Sequence, residues 1–232
     1  METTLSEHPY ARLTPDLILR ALESAGFVCD GRLLALNSYE NRVYQIGIED
    51  GPPVIAKFYR PGRWSKQAIL EEHAFSQELA AQEIPVIAPF SDADGGSLHE
   101  LEGFLFAAYP RCGGRWPDLD TKAQRQQMGR FLGRMHAIGA TRHFQHRNRL
   151  DIATLGDASR RFVLEEKLVP DYLFDAYATL SDDLLKQIRV MFEIAGSVAQ
   201  IRLHGDCHKG NILWTDRGPH FVDLDDSCSG PA

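Results

Sequence analysis

The sequence is short of cysteine, of long hydrophobic runs and of positive charge, and each shortage argues against a class of function. Its four cysteines, Cys29, Cys112, Cys207 and Cys228, stand far apart without a CxxC pair. That argues against a disulfide framework or a zinc knuckle and for a reducing compartment. No apolar run approaches the roughly 18 residues that a membrane span needs. A net charge of −7 argues against a general nucleic-acid binder, whose footprint is basic. Met1-Glu2-Thr3-Thr4 carries no basic segment ahead of an apolar one, so no secretory signal is expected and a cytoplasmic protein is. Internal repeats and low-complexity tracts are also missing. What remains is a chain of 232 residues, 44% of them apolar, enough for one large domain or two small lobes around a sizeable core.

The polar side chains concentrate in one apolar setting. Leu203-His204-Gly205-Asp206-Cys207-His208-Lys209-Gly210-Asn211-Ile212-Leu213-Trp214 places an Asp five positions before an Asn. After a turn at Asp216-Arg217-Gly218-Pro219 comes a second acidic cluster, Val222-Asp223-Leu224-Asp225-Asp226. Apolar runs flank both, so each cluster sits where a short buried segment ends. Two chemistries suit these residues. In the first, Asp206 orients an attacking hydroxyl while Asn211 and Asp223 hold a hard cation through oxygen, the kit of phosphoryl transfer. In the second, His204, Asp206 and His208 alternate on one face of an extended segment and ligate zinc, with Asp223 or Asp225 completing the set, as in a metallohydrolase. A plain polar turn is the bland alternative, disfavoured because that many sheltered polar groups need partners or a ligand.

Periodicity places these clusters late in an α+β chain. Thr14-Pro15-Asp16 reads as a helix start, with a capping hydroxyl, Pro in the first turn and an acid near the positive end of the dipole. The helix ends at Gly26. Residues 33–36, 42–48 and 53–59 read as strands, with Asp50-Gly51 turning between the last two. Asn37-Ser38-Tyr39-Glu40-Asn41 links the first two and contains no glycine. Lys57 follows Val54-Ile55-Ala56, so its ammonium must snorkel or meet an anion. A helix over 65–82 carries Glu71, Glu72 and Glu78. Residues 103–110 read as a buried strand followed by a flexible Arg111-Cys112-Gly113-Gly114-Arg115. The spacing predicts an amphipathic helix over 122–139, where His136 is a core or helix-end residue, and a loop over 144–159. Helices are predicted over 160–168, 171–180 and 182–199, the last capped by Ser181-Asp182-Asp183.

His204-Gly205-Asp206 with Asn211, followed by Phe221-Val222-Asp223-Leu224-Asp225, resembles the signature of the aminoglycoside phosphotransferase and choline kinase family. That family has the protein-kinase-like fold and puts Gly where the kinase catalytic loop has Arg, as at Gly205. Leu36-Asn37-Ser38-Tyr39-Glu40-Asn41-Arg42-Val43 and Lys57-Phe58-Tyr59-Arg60-Pro61 extend the resemblance over nearly the whole chain, toward the family's bacterial Ser/Thr protein kinases. The resemblance implies two lobes: an antiparallel sheet plus helix over 1–107, a hinge over 108–115 whose backbone at 107–109 meets adenine, and a mainly helical lobe over 116–232. It implies an ATP- and Mg2+-dependent kinase. Lys57 would steady the α/β-phosphates with Glu72, seven residues before Leu79 and shortly before Ile84-Pro85-Val86, as its ion-pair partner and Glu71 in reserve. Ser38 would meet phosphate oxygens, Asp206 would be the base, and Asn211 and Asp223 would hold the metal with help from Asp225. The acceptor would be a protein Ser/Thr hydroxyl, or else a small-molecule hydroxyl such as that of choline, a sugar or an aminoglycoside. Family members continue further past the metal-binding Asp, whereas this sequence stops nine residues after Asp223, so a shortened chain is expected.

Overall fold

The computed structural model describes residues 9–231; the reading of Met1-Glu2-Thr3-Thr4 lies outside them. The described residues form two compact units, 9–129 with 206–225, and 130–205 with 226–231.

The first unit is built on a five-stranded antiparallel sheet. Its strands are β1 (Cys29–Leu36), β2 (Arg42–Ile48), β3 (Val54–Phe58), β4 (His99–Leu101) and β5 (Phe104–Pro110), in the order β1-β2-β3-β5-β4. Strand periodicity sorts its side chains onto two faces. On one face Val54, Ala56 and Phe58 pack with Phe104, Phe106 and Ala108, with Ile46, and with Leu17, Ile18, Ala21 and Leu22 of α1 (Pro15–Ser24). Thr14 caps α1 by accepting a hydrogen bond from the Leu17 N–H, with Pro15 in the first turn, as the sequence predicts. On the other face Tyr59 and Ala107 pack with Ile69 of α2 (Lys66–Ala81). Lys57 has odd parity and pairs in register with Ala107, so it belongs to this second face. Ser65 caps α2 by accepting from the Ala68 N–H, and the helix buries Ala68, Ile69, Glu72, His73, Phe75, Ser76 and Leu79.

The segment 206–225 folds onto this unit. β7 (Ile212–Thr215) and β8 (Gly218–Phe221) form a hairpin. The Phe221 N–H donates to Pro85 O, the Ile87 N–H donates to Phe221 O, and the Arg115 and Trp214 backbones exchange hydrogen bonds.

The second unit holds α4 (Ser159–Glu165), α5 (Asp171–Ala195) and an antiparallel pair of β6 (Gln200–Leu203) with β9 (Cys228–Pro231). α3 (Lys122–Gly139) contributes its second half, where Arg202 donates to Ile138 O at 3.0 Å.

Several expectations are corrected. β1 starts at Cys29, ahead of 33, because a register shift between Cys29 and Leu33, where Gly31 adopts φ +86°, lets the strand continue past an irregularity in its pairing with β2. The two helices predicted over 171–180 and 182–199 are one, α5. Ser181 does not cap a new helix: its hydroxyl donates back to Tyr177 O at 2.6 Å and accepts from Arg160 Nε at 2.9 Å. The loop over 144–159 contains a π-helical turn, Ile152–Ala158, capped by Asp151, which accepts from the Thr154 N–H. β4 and β9 were not expected; both are short strands whose partners supply the order.

Candidate active site

Lys57 is buried at 7% exposure in a strand of otherwise apolar side chains. Burial alone, the largest influence on it, would lower its pKa, but the carboxylates of Asp225, Glu72 and Asp223 together hold it well above the ordinary lysine value. The ammonium donates to Asp223 Oδ1 at 2.8 Å and lies 3.4 Å from Asp225 Oδ1. Asp225 is 3% exposed, and its other oxygen accepts from Arg63 Nη1 at 2.9 Å. Glu72 is 2% exposed on the sheet-facing side of α2, whereas Glu71 beside it is half-buried.

Asp223 differs from its neighbours. Its side chain is half exposed, and its backbone adopts φ +58°, a left-handed conformation that costs a residue with a side chain on the order of 1–3 kcal/mol and clusters at functional sites. The Val222 N–H donates to Asn211 O at 3.0 Å, which draws the Asp223 segment against the Asp206–Asn211 loop. Within that loop Asn211 Nδ2 donates to Asp206 O at 2.9 Å and to Asp206 Oδ2 at 3.1 Å. The amide thus braces the Asp206 carboxylate and leaves the Asn211 carbonyl oxygen as an acceptor. Ser38 lies half-buried on the β1–β2 turn, and its hydroxyl makes no hydrogen bond among the described residues. The structure therefore brings Lys57, Asp223 and Asp225 into direct contact with Glu72 acting on them by charge, joins Asp206 to Asn211, and leaves Ser38 apart.

The zinc alternative fails on geometry. β6 stops at Leu203 and Gly205 turns at φ +84°, so His204, Asp206 and His208 do not alternate on an extended face. His208 Nδ1 instead accepts from the Gly210 N–H at 2.9 Å. Among the described residues no group of three or more His, Cys, Asp and Glu is placed to hold a metal. The donors that the site does offer, the Asp223 carboxylate and the Asn211 carbonyl, are hard oxygens suited to Mg2+ or Ca2+ rather than zinc.

Sequence reasoning missed four side chains here. Tyr59 follows Lys57 by two residues and puts its ring 5.3 Å from the ammonium. Its hydroxyl shares hydrogen bonds with His73 Nε2 at 2.7 Å and the Tyr109 hydroxyl at 2.9 Å, while His73 Nδ1 meets Ser97 Oγ at 2.8 Å. Burial first, then the charge of Glu72, pushes both tyrosines far above their ordinary range, so both are neutral donors. Arg63 is the fourth. The signal for it was charge balance: Lys57, Arg60 and Arg63 lie within seven residues, too many cations for one helix Glu.

Comparisons with known proteins converge on one family. Residues 32–232 match the model of the phosphotransferase enzyme family, APH. Stress response kinase A of Escherichia coli is 42% identical over 227 residues, which are 98% of this chain and 68% of that protein. The serine/threonine protein kinase RdoA of Salmonella typhimurium is 42% identical over 223 residues, 96% of this chain and 67% of that one. The chain thus spans about two thirds of the length of these relatives. Among solved structures, the amicoumacin kinase hAmiN in complex with AMP-PNP, Ca2+ and Ami superposes with a TM-score of 0.70 at 21% identity, covering 90% of this chain and 63% of that chain. A microcompartment-associated aminopropanol kinase gives 0.68 at 19%, covering 94% and 71%. Those two likenesses establish the kinase-like fold, and the family match with the 42% identity establishes the rest: the chain belongs to the APH phosphotransferase enzyme family.

Proposed function

We propose that the chain transfers the γ-phosphoryl group of ATP to Ser or Thr hydroxyls of proteins as part of a bacterial stress response. The observation that carries the chemistry is the buried Lys57 ammonium facing the exposed Asp223 carboxylate, with the braced Asp206 beside Asn211. The names of the two kinases that match at 42% identity support the acceptor class.

In this reading Lys57, its charge maintained by Glu72 and Asp225, donates to the α/β-phosphates. Asp206 accepts a hydrogen bond from the acceptor hydroxyl and aims it at the γ-phosphorus. The new P–O bond forms as the bridge to ADP breaks, and the hydroxyl proton passes late to Asp206. Asn211 and Asp223 would hold Mg2+, which supplies positive charge to the phosphate oxygens. Positioning and fixed charge provide most of the rate. Ser38 would contribute a hydroxyl to the phosphates only after the β1–β2 turn closes on them. The division into lobes at 108–115, with the backbone at 107–109 against adenine, belongs to the same reading. So does a cytoplasmic setting, which suits the four free cysteines.

The test is incubation with γ-labelled ATP and Mg2+, with and without a generic basic protein, beside Asp206→Ala and Asp223→Ala. Label on Ser or Thr that disappears in both variants is the expected result. Nucleotide binding without protein label would move the acceptor to a small-molecule hydroxyl. Full turnover by Asp206→Ala would remove the proposed base.

A further inference from the structure

Lys57 is the pivot of the proposed reaction, and Asp225 is a buried neighbour of its ammonium. Asp225 is buried at 3% exposure, with one carboxylate oxygen 3.4 Å from the Lys57 ammonium and the other 2.9 Å from Arg63 Nη1. This carboxylate is buried between two cations, with Oδ2 accepting from Arg63 and Oδ1 facing Lys57 at 3.4 Å, so little of its surface is open to a metal. Asp223, two residues earlier, is half exposed and has its second oxygen free of the lysine. The two acids of the Asp223-Leu224-Asp225 motif therefore have different surroundings, and the difference is imposed by Arg63.

Arg63 is itself held in place. It lies in the turn between β3 and α2, where its N–H donates to Arg60 O at 3.2 Å, and its guanidinium packs 5.6 Å from the Trp64 ring. Two residues later Ser65 caps α2. The turn that starts the Glu72 helix thus reaches across 162 residues of sequence to grip Asp225.

We infer that Arg63 is a positioning residue: by holding Asp225 in place it makes that carboxylate the permanent counter-ion of Lys57, leaving Asp223 alone of the pair to meet the metal. The inference rests on the phosphotransfer reading above. Without Arg63, Asp225 loses the cation on its Oδ2 and its charge falls more heavily on the Lys57 ammonium. The ammonium is then drawn toward that acid and away from Asp223 and the phosphates. Without Asp225, Arg63 no longer acts on Lys57, and the ammonium loses the buried carboxylate that holds it toward the phosphates. Either loss weakens the same nucleotide contact, and the second loss adds little once the first has occurred.

The experiment is a double-mutant cycle of Arg63→Gln and Asp225→Asn, with Arg63→Lys as the conservative variant. It is read by binding of a fluorescent ADP analogue with Mg2+, by KM for ATP and kcat, by the Mg2+ concentration for half-maximal binding, and by melting temperature. The expected result is a rise of about tenfold or more in KM for ATP and in the analogue's Kd for each single variant. The double variant should be no worse than the weaker single one, Arg63→Lys should recover most of the loss, and the Mg2+ requirement should stay unchanged. Independent, multiplicative losses would overturn the inference. So would an Asp225→Asn variant that raises the Mg2+ requirement while Arg63→Gln does not, which would make Asp225 a metal ligand. A lowered melting temperature with unchanged nucleotide binding would reduce Arg63 to a structural role and also overturn it. Failure of the unmodified protein to bind nucleotide would sink the phosphotransfer reading itself, a result distinct from all of these.

Discussion

Replacing Gly205 with alanine should cost the protein stability and turnover together, and the loss can be estimated from the backbone. Gly205 sits at φ +84°, and a Cβ there would lie 1.8 Å from the Asp226 carbonyl oxygen and 2.6 Å from its carbon. The neighbouring backbone must retreat by about 1.2 Å merely to reach the 3.0 Å that real contacts respect. The obstacle is main chain, so no rotamer change relieves it. Left-handed backbone costs a residue with a side chain about 1–2 kcal/mol, and forcing an extra carbon into packed structure costs typically 1–3 kcal/mol more. The sum is roughly 2–5 kcal/mol, which for a chain of this size lowers the melting temperature by about 4–20 °C. Covalent connection carries the displacement directly into Asp206 on one side and Asp225 on the other. The assay is a thermal melt beside ATP turnover at a temperature where the variant stays folded. A variant that melts within 1 °C of the parent and turns over normally would refute the steric argument.

Three further outcomes are expected. Asp206→Asn keeps the shape of the group braced by Asn211 but cannot take a proton, so kcat should fall at least tenfold while ATP binding changes little; single-turnover kinetics would show it, and an unchanged kcat would contradict it. Phe106→Ala removes a fully buried ring at the centre of the α1-side core and should cost about 3–5 kcal/mol, measured by denaturant unfolding. Burial raises the Cys29, Cys112 and Cys228 thiols above their ordinary value, whereas Cys207 is exposed. Because the folded form holds these three protons more tightly, their contribution to stability is complete below the ordinary thiol value and is lost as pH rises through the raised folded values. Alkylation of these three at pH 8 should accordingly be slow in the native protein and accelerate on unfolding.

The Asp206–Asn211 loop and the Asp223 segment were legible in the sequence because polar residues interrupt apolar strands there, and such a pattern is local. Lys57 was legible for the same reason. Glu72 stood out from Glu71 only by resemblance, and burial then separated them: Glu72 shares a helix face with Ile69, Ser76 and Leu79. Arg63 and the Tyr59-His73-Tyr109 hydrogen bonds were not legible, since their meaning lies in partners 14 to 162 residues away. The single helix α5 was split in the sequence reading because Ser-Asp-Asp is a cap pattern wherever it occurs, and only its surroundings decide that the serine bonds backward instead. β9 was missed because Cys228-Ser229-Gly230-Pro231 has weak strand propensity and is extended by its pairing with β6.

The docking of Phe221 between Pro85 and Ile87 has a consequence for the order in which the protein comes into being. The first unit takes its last piece, residues 206–225, from beyond the whole of residues 130–205. On a ribosome adding about 5–20 residues per second, the sheet and its helices emerge several seconds before the strand that completes them. Throughout that interval Lys57 has a sheltered position prepared for it and neither of its aspartates. A nascent chain halted short of Phe221 should therefore remain open to protease around α2, and closure should be a late, single event that installs the acidic motif and the last strand of the unit together.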